Sequence, residues 1–273
     1  MLKKSVVFVA VLTLAACGDS DSKDKQNTGG MSANQAGGMA ANQAGGMATA
    51  TSKLSFFVQN AQTSMGLANA EICVDGQNEC LTSDAEGNVK VAMDYAVGVT
   101  IKASIKAGGF MTARINGVTI ARDANATPLT IPMVAEGVVA LLGQNAEGVD
   151  SLDDTKGHIA FVAAYANSGG TNGVENVSLS LEPANSAMGP HYTKAGKLVD
   201  LIADNPYDPM LKATTNSGAI NYFNVTPGQY TATTAGAPDG CNVIFGVPGD
   251  NSTIKTDVKA GELTYLSIIC PEK

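Results

Sequence analysis

Residues 184–212, ANSAMGPHYTKAGKLVDLIADNPYDPMLK, bring His191, Tyr192, Lys194, Lys197, Asp204, Tyr207 and Asp208 into one stretch. Rings, an imidazole and charges of both signs suit reversible contact with a partner. Long connections on a rigid scaffold are where such contacts concentrate. Tyr and His present contact area at modest entropic cost, and Asp204 and Asp208 can accept hydrogen bonds from hydroxyls or amines. The expectation is that His191, Tyr192, Tyr207 and Asp208 carry binding, with no covalent change to the partner. The competing reading is an irregular hairpin with a short amphipathic turn at Leu198–Ile202.

Signatures of catalysis are missing elsewhere. There is no Gly-x-Ser-x-Gly elbow and no His-Glu-x-x-His, and the chain has only 2 histidines, in separate segments. His158 opens a β run and reads as a packed or rim histidine. SGGTNG (168–173) has no phosphate-loop Lys behind it. Asp150, Asp153 and Asp154 lack the alternating ladder and distant Glu of a calcium loop. A carboxylate pair for glycoside hydrolysis depends on separation in space, which a sequence does not carry. No enzyme, cofactor or metal is expected.

The 5 cysteines point to a compartment. The chain opens MLKKSVVFVAVLTLAACGDS: Lys3 and Lys4 precede an apolar run from Val6 to Ala16, broken only by Thr13, and small residues lead to a cut. The run falls short of the ~18 residues a spanning helix needs. Leu14-Ala15-Ala16-Cys17 resembles a bacterial lipobox. That resemblance implies a signal peptide over residues 1–16, diacylglycerol on Cys17 and acylation of the new amine, hence stable attachment to a membrane. Gly18, standing where inner-membrane lipoproteins carry Asp, implies the outer membrane where the organism has one. Lipidation leaves Cys73, Cys80, Cys241 and Cys270. Three pairings are open, and closeness in sequence favours Cys73–Cys80 and Cys241–Cys270. Oxidation suits an exported chain, and the absence of a Cys-x-x-Cys pair argues against zinc.

Residues 17–52 follow as a tether. GGMSANQAGGMAANQAGGMATA places Met31, Met39 and Met47 eight apart amid Gly, Ala, Asn and Gln, with no apolar period to build a core. Isolated methionines without nearby His or Cys are a poor Cu(I) site. As a random coil the segment spans roughly 30–35 Å. The formal net charge is −8, and loss of Lys3 and Lys4 with the signal takes it to −10. The remaining cations are scattered, which excludes nucleic acid as a partner.

The elements that must position these residues are strands. KLSFFVQ (53–59), AEICV (70–74), ECLTS (79–83), VKVAM (89–93), VTIKASIKA (99–107), FMTARI (110–115), GVTIAR (117–122) and PLTIPMV (128–134) are short β-rich runs punctuated by Gly, Asn and Asp. Asp75-Gly76-Gln77-Asn78 is a hairpin signal that would set Cys73 across from Cys80. Residues 136–155, EGVVALLGQNAEGVDSLDDT, read as an acidic linker, in which Val138 to Leu142 would make one helical turn or a short strand. GHIAFVAAYAN (157–167) opens a second module. The expectation is all-β: two tandem Ig-like or prealbumin-like sandwiches, at 53–135 and 156–273.

Residues 66–110 resemble the carboxypeptidase regulatory-like, prealbumin-type family in the order small opening strand, Thr82-Ser83-Asp84-Ala85-Glu86-Gly87, alternating strand and Val99-Thr100-Ile101-Lys102-Ala103. GVENVSLSLEP (173–183), TTNSGAINYFNVTPGQYTATTA (214–235) and VKAGELTYLSIIC (258–270) resemble it again. There, Asn224-Val225-Thr226-Pro227-Gly228-Gln229-Tyr230 matches the family's tight turn before a strand. The resemblance implies a non-enzymatic sandwich, since no peptidase signature accompanies it. A related branch joins first and last strands by Lys–Asn isopeptide bonds. The strand from Leu263 to Cys270 holds neither Asn nor Asp, so disulfides take that place. The chain therefore reads as a lipid-anchored envelope protein for adhesion, scaffolding or ligand presentation, with carbohydrate or peptidoglycan binding as the alternative. Its expected partners are a membrane, through the lipid, and an envelope protein or glycan.

Overall fold

The alternating runs become strands, and the way they are shared between the two halves sets the architecture. The computed structural model describes residues 51–272 apart from 97, 119–127, 167–171, 185–187, 195–204 and 251. The signal segment, Cys17 and the tether up to residue 50 lie outside the described residues, and Thr51 already opens the first strand. The first half comprises β1 (Thr51–Asn60), β2 (Glu71–Val74), β3 (Leu81–Thr82), β4 (Asn88–Ala96), β5 (Thr100–Lys106), β6 (Thr112–Val118) and β7 (Leu129–Met133). Helix α1 (Glu136–Asn145) follows. The second half comprises β8 (Gly157–Tyr165), β9 (Ser178–Glu182), β10 (Met188–Tyr192), β11 (Ala219–Val225), β12 (Gly228–Ala235), β13 (Asn242–Phe245), β14 (Val247–Pro248), β15 (Thr253–Val258) and β16 (Glu262–Cys270).

These strands form a three-stranded sheet, β4-β1-β7, and a four-stranded sheet, β14-β15-β12-β9. Between them runs a nine-stranded sheet, β10-β11-β8-β16-β6-β5-β2-β3, with β13 also paired to β16. Each half is closed by a parallel pairing of its opening and closing strands. β1 lies beside β7 from Phe56↔Leu129 to Asn60↔Met133, and β8 beside β16 from His158↔Leu263 to Tyr165↔Cys270. β16 also pairs parallel with β6, Glu262↔Thr112 through Thr264↔Arg114, and so joins the halves in one sheet.

Parity along β16 shows how the layers stack, because alternate strand residues face opposite sides of a sheet. Leu263 and Tyr265 enter one core with Phe56, Ile72, Ile105 and Ile131. Leu266, Ile268 and Cys270 enter the other with Phe161, Leu181, Ala232 and Ile254. The three-stranded sheet thus covers one face of the large sheet, and the four-stranded sheet covers the other. A strand apolar on both faces belongs in such a middle position, and β16 is buried from Leu263 to Ile268.

Local chemistry fixes the corners. Gly87 takes φ +88°, and a Cβ there would meet the Val58 carbonyl oxygen at 2.4 Å, so the turn before β4 admits only glycine. At the β11–β12 corner the Tyr230 hydroxyl donates to the Thr226 carbonyl (2.7 Å), pinning a turn that carries the chain from the large sheet to the four-stranded one. Both disulfides favoured by spacing are present, Cys73–Cys80 across β2 and β3, and Cys241–Cys270 beside the end of β16.

Residues 136–155, expected as an acidic linker, form part of the first core. Val139, Leu142, Ala146 and Val149 are buried there, in or just after α1. Their spacing of three and four is a helical stripe, and it outweighs the three aspartates that suggested a solvated spacer.

Candidate functional site

Where α1 ends beside the β10 edge of the large sheet, the surface opens into a cleft of about 680 Å³. Its walls come from the α1 end (Gln144, Asn145, Glu147), from β10 (Pro190, His191, Tyr192) and from the returning chain (Asn205, Tyr207, Asp208, Pro209, Leu211, Lys212). The last group is held by pairing: Thr193 bridges Tyr207, the Lys194 N–H donates to the Pro206 carbonyl (2.8 Å), and the Asp208 N–H to the Tyr192 carbonyl (3.4 Å). Asn205 accepts the Tyr207 N–H on Oδ1 (3.0 Å), and its carbonyl accepts Lys194 Nζ (2.8 Å). The Asp208 carboxylate accepts the Met210 N–H (2.9 Å).

All four residues singled out in the sequence line this cleft, but not as four exposed contacts. Tyr207 is 4% exposed and belongs to the first core; Tyr192 is 5% exposed and belongs to the second. Their rings are consumed in packing, which corrects the expectation of free aromatic contacts. His191 and Asp208 are partly exposed. Lys197, Asp204 and the turn at 198–202 fall outside the described residues.

Behind the cleft lies a ring cluster. Phe223 has its centroid 5.7 Å from His191, 6.2 Å from Tyr207 and 5.9 Å from His158. Burial pushes the His191 imidazole down despite a hydrogen bond with the Met188 backbone. Burial also pushes the Tyr207 hydroxyl well above its ordinary value, with the Asn221 amide beside it opposing the shift. Among the described residues His191 Nε2, Tyr207 Oη and Asn221 Nδ2 are buried without a well-formed hydrogen bond. His158, 2% exposed, accepts the Asn224 N–H on Nδ1 (3.2 Å), and burial lowers its pKa to about 4. It is a packed histidine.

A second polar cluster sits where the halves meet. Arg114 on β6 is fully buried. It makes a bidentate contact with Asp75 (Nη1–Oδ1 2.9 Å, Nη2–Oδ2 2.5 Å), reaches Asp257 on β15 (3.0 Å), and donates to Ser104 Oγ (3.1 Å). Ser104 in turn donates to Glu262 (2.8 Å). The Arg114 hydrogen bond holds the Asp75 carboxyl below the usual carboxylate range, whereas burial raises that of Glu262. Lys259 lies 3.4 Å from Asp75 and Lys102 3.8 Å from Asp257, so cations and carboxylates offset one another in a packed junction, and the cluster reads as a joint.

Glu71, Cys73 and Cys80 stand close enough to share a metal ion, but both sulfurs are tied in a disulfide. Sequence reasoning missed Gln144, Asn145, Glu147 and Asn221. The helical spacing of Val139, Leu142 and Ala146 was the signal that would have placed α1 beside the 184–212 segment.

No family model matches the sequence, and no curated protein matches it. Among solved structures the chain is similar to the Bacillus anthracis TIE protein (13% identity, TM-score 0.24), with 81% of this chain matched to 34% of that one, about a third of its length. It is also similar to GBS52, the minor pilin of Streptococcus agalactiae (8% identity, TM-score 0.26, 81% of this chain and 96% of that). A third is the shaft pilin SpaA of Lactobacillus rhamnosus GG (12% identity, TM-score 0.22, 80% and 97%). At these TM-scores the all-β sandwich description rests on the sheets of this chain.

Proposed function

We propose that this chain is an exported, lipid-anchored, non-enzymatic protein of the cell envelope. Its linked sandwiches stand off the membrane on a tether and engage a partner through the cleft between β10 and α1. The observation that carries this reading is the N-terminal order of cations, apolar run, Leu14-Ala15-Ala16-Cys17 and low-complexity segment. Acylation at Cys17 supplies the anchor, and residues 18–50 supply reach. The two disulfides fit an oxidising compartment. The cleft supports a binding role, since it is concave, mixed in polarity and of a size usual for ligand sites. Adhesion, scaffolding and ligand presentation all require such display.

The test is fractionation of cells expressing the native chain or Cys17→Ala. The native protein is expected with membranes and the variant in the soluble fraction. Undiminished membrane recovery of the variant would overturn the anchor.

A further inference from the structure

We propose that the Cys73–Cys80 disulfide is a thiol-sensitive latch on the joint between the two halves, opened by a dithiol reductant. The two disulfides differ in access. Cys80 is exposed, Cys73 is partly exposed, and every residue from Asp75 to Cys80 at the hairpin tip faces solvent. Cys241–Cys270 ends instead on a residue fully buried in the second core. A thiolate cannot reach Cys270, and attack on Cys241 would expel a thiolate into apolar surroundings. At the hairpin the thiolate of a dithiol attacks Cys80 Sγ, the S–S bond breaks, and Cys73 Sγ leaves with the electron pair and takes a proton. The reagent's second thiol then displaces Cys80 Sγ. Both cysteines end as thiols and the dithiol ends as a disulfide. The Glu71 carboxylate, within 4.8 Å of both sulfurs, opposes charge on the departing sulfur. A dithiol suits such a bond, because its second thiol completes the exchange before the bond recloses.

The hairpin carries this change to the joint. β3 is two residues long and meets β2 only at Glu71↔Thr82 and Ile72↔Leu81. Beyond β2, the Asp75 N–H donates to the Lys102 carbonyl (2.8 Å) and the Gln77 N–H to the Val74 carbonyl (3.1 Å), so the disulfide is a principal restraint on the tip. Asp75, two residues after Cys73, grips the buried Arg114 with both carboxylate oxygens and lies 3.4 Å from Lys259 of the second half. Arg114 in turn reaches Asp257 on β15. Opening the disulfide frees the segment that presents Asp75, and so weakens its hold on Arg114. Coupling of this kind is reciprocal: whatever loosens Asp75 must also ease reduction of the bond.

The experiment equilibrates the full mature protein with mixtures of reduced and oxidised dithiothreitol, alkylates free thiols and maps them by peptide mass. Cys73 and Cys80 are expected to be labelled while Cys241–Cys270 stays closed. In that half-reduced protein, amide hydrogen exchange across β15, Thr253–Val258, should quicken about fivefold or more. Asp75→Asn should shift the Cys73–Cys80 equilibrium towards the thiols by a similar factor. Opening of Cys241–Cys270 first or at the same time overturns the proposal. So does faster exchange confined to residues 71–82, or an equilibrium that Asp75→Asn leaves unmoved. Should that variant fail to fold, the exchange measurement on the native sequence decides.

Discussion

Arg114 and Asp257 are separated by 143 residues, yet Nη2 of one lies 3.0 Å from Oδ2 of the other across the junction of the two halves. With the arginine fully buried and Asp257 only 16% exposed, each helps compensate the other out of water, together with Asp75 on the guanidinium and Lys102 on Asp257. Removing one partner strands the other's charge. Arg114→Met is expected to cost about 3–5 kcal/mol, read as a lower urea midpoint at unchanged slope. A loss below about 1 kcal/mol would mean that Asp75 and Lys259 solvate the junction without it.

The shared sheet predicts how the protein yields to proteases. Parallel pairing of β16 with β6 and the burial of Leu263 and Tyr265 among first-half residues tie the halves together. Limited proteolysis should therefore remove the segment before residue 51 and leave one resistant core. Two stable fragments separated by a cut within 136–155 would show that the junction opens readily.

His158 makes stability depend on pH. Its folded pKa, about 4, lies below the ordinary 6.5 because burial disfavours the charged ring. Between those values the unfolded chain binds the extra proton. Stability is therefore full above pH 6.5 and falls as pH drops towards 4, by roughly 3 kcal/mol in total. Urea titrations at pH 7.5, 5.5 and 4.5 should trace that fall, and His158→Phe should flatten it. An equally steep profile in the variant would assign the effect to other groups.

The disulfides should differ in worth. Cys241–Cys270 spans 29 residues and Cys73–Cys80 spans 7. The chain-entropy model gives ~3.6 and ~2.5 kcal/mol respectively. Paired Cys→Ala variants compared by thermal unfolding should rank in that order, and the reverse ranking would point to strain or residual unfolded structure.

Much of the fold was legible because local pattern and tertiary role agreed. VTIKASIKA alternates and becomes β5, with Ile101, Ala103 and Ile105 on the first core and Ser104 on the Arg114 side. What escaped reading depends on pairings between distant segments. Arg114, in the run FMTARI, looks like any outward residue of a strand, and only the arrival of β15 and β16 buries it. TIKTDV, which becomes β15, is short and half polar and was not singled out. Tyr192 and Tyr207 were found as members of the cleft, but their burial was not legible. The segment looked like a long loop, whereas its ends pair as strands and lend their rings to both cores. Asn221 was hidden for a related reason, since a strand Asn gains meaning only from the neighbour across the ladder.

The place of β16 imposes an order in time. β16 is the last of the described strands in sequence, yet it lies between β8 and β6, so neither can fill its backbone hydrogen bonds until residues 262–270 have been made. Until then the nascent first half carries an open edge at β6, and Arg114 has Asp75 for a partner but still lacks Asp257 and Glu262. Open edges are where chains stick to one another, and contacts this distant in sequence form slowly. The early part of the chain thus spends its first moments as an unfinished surface, and a helper that shields strand edges until residues 262–270 arrive is expected to raise the yield of folded protein.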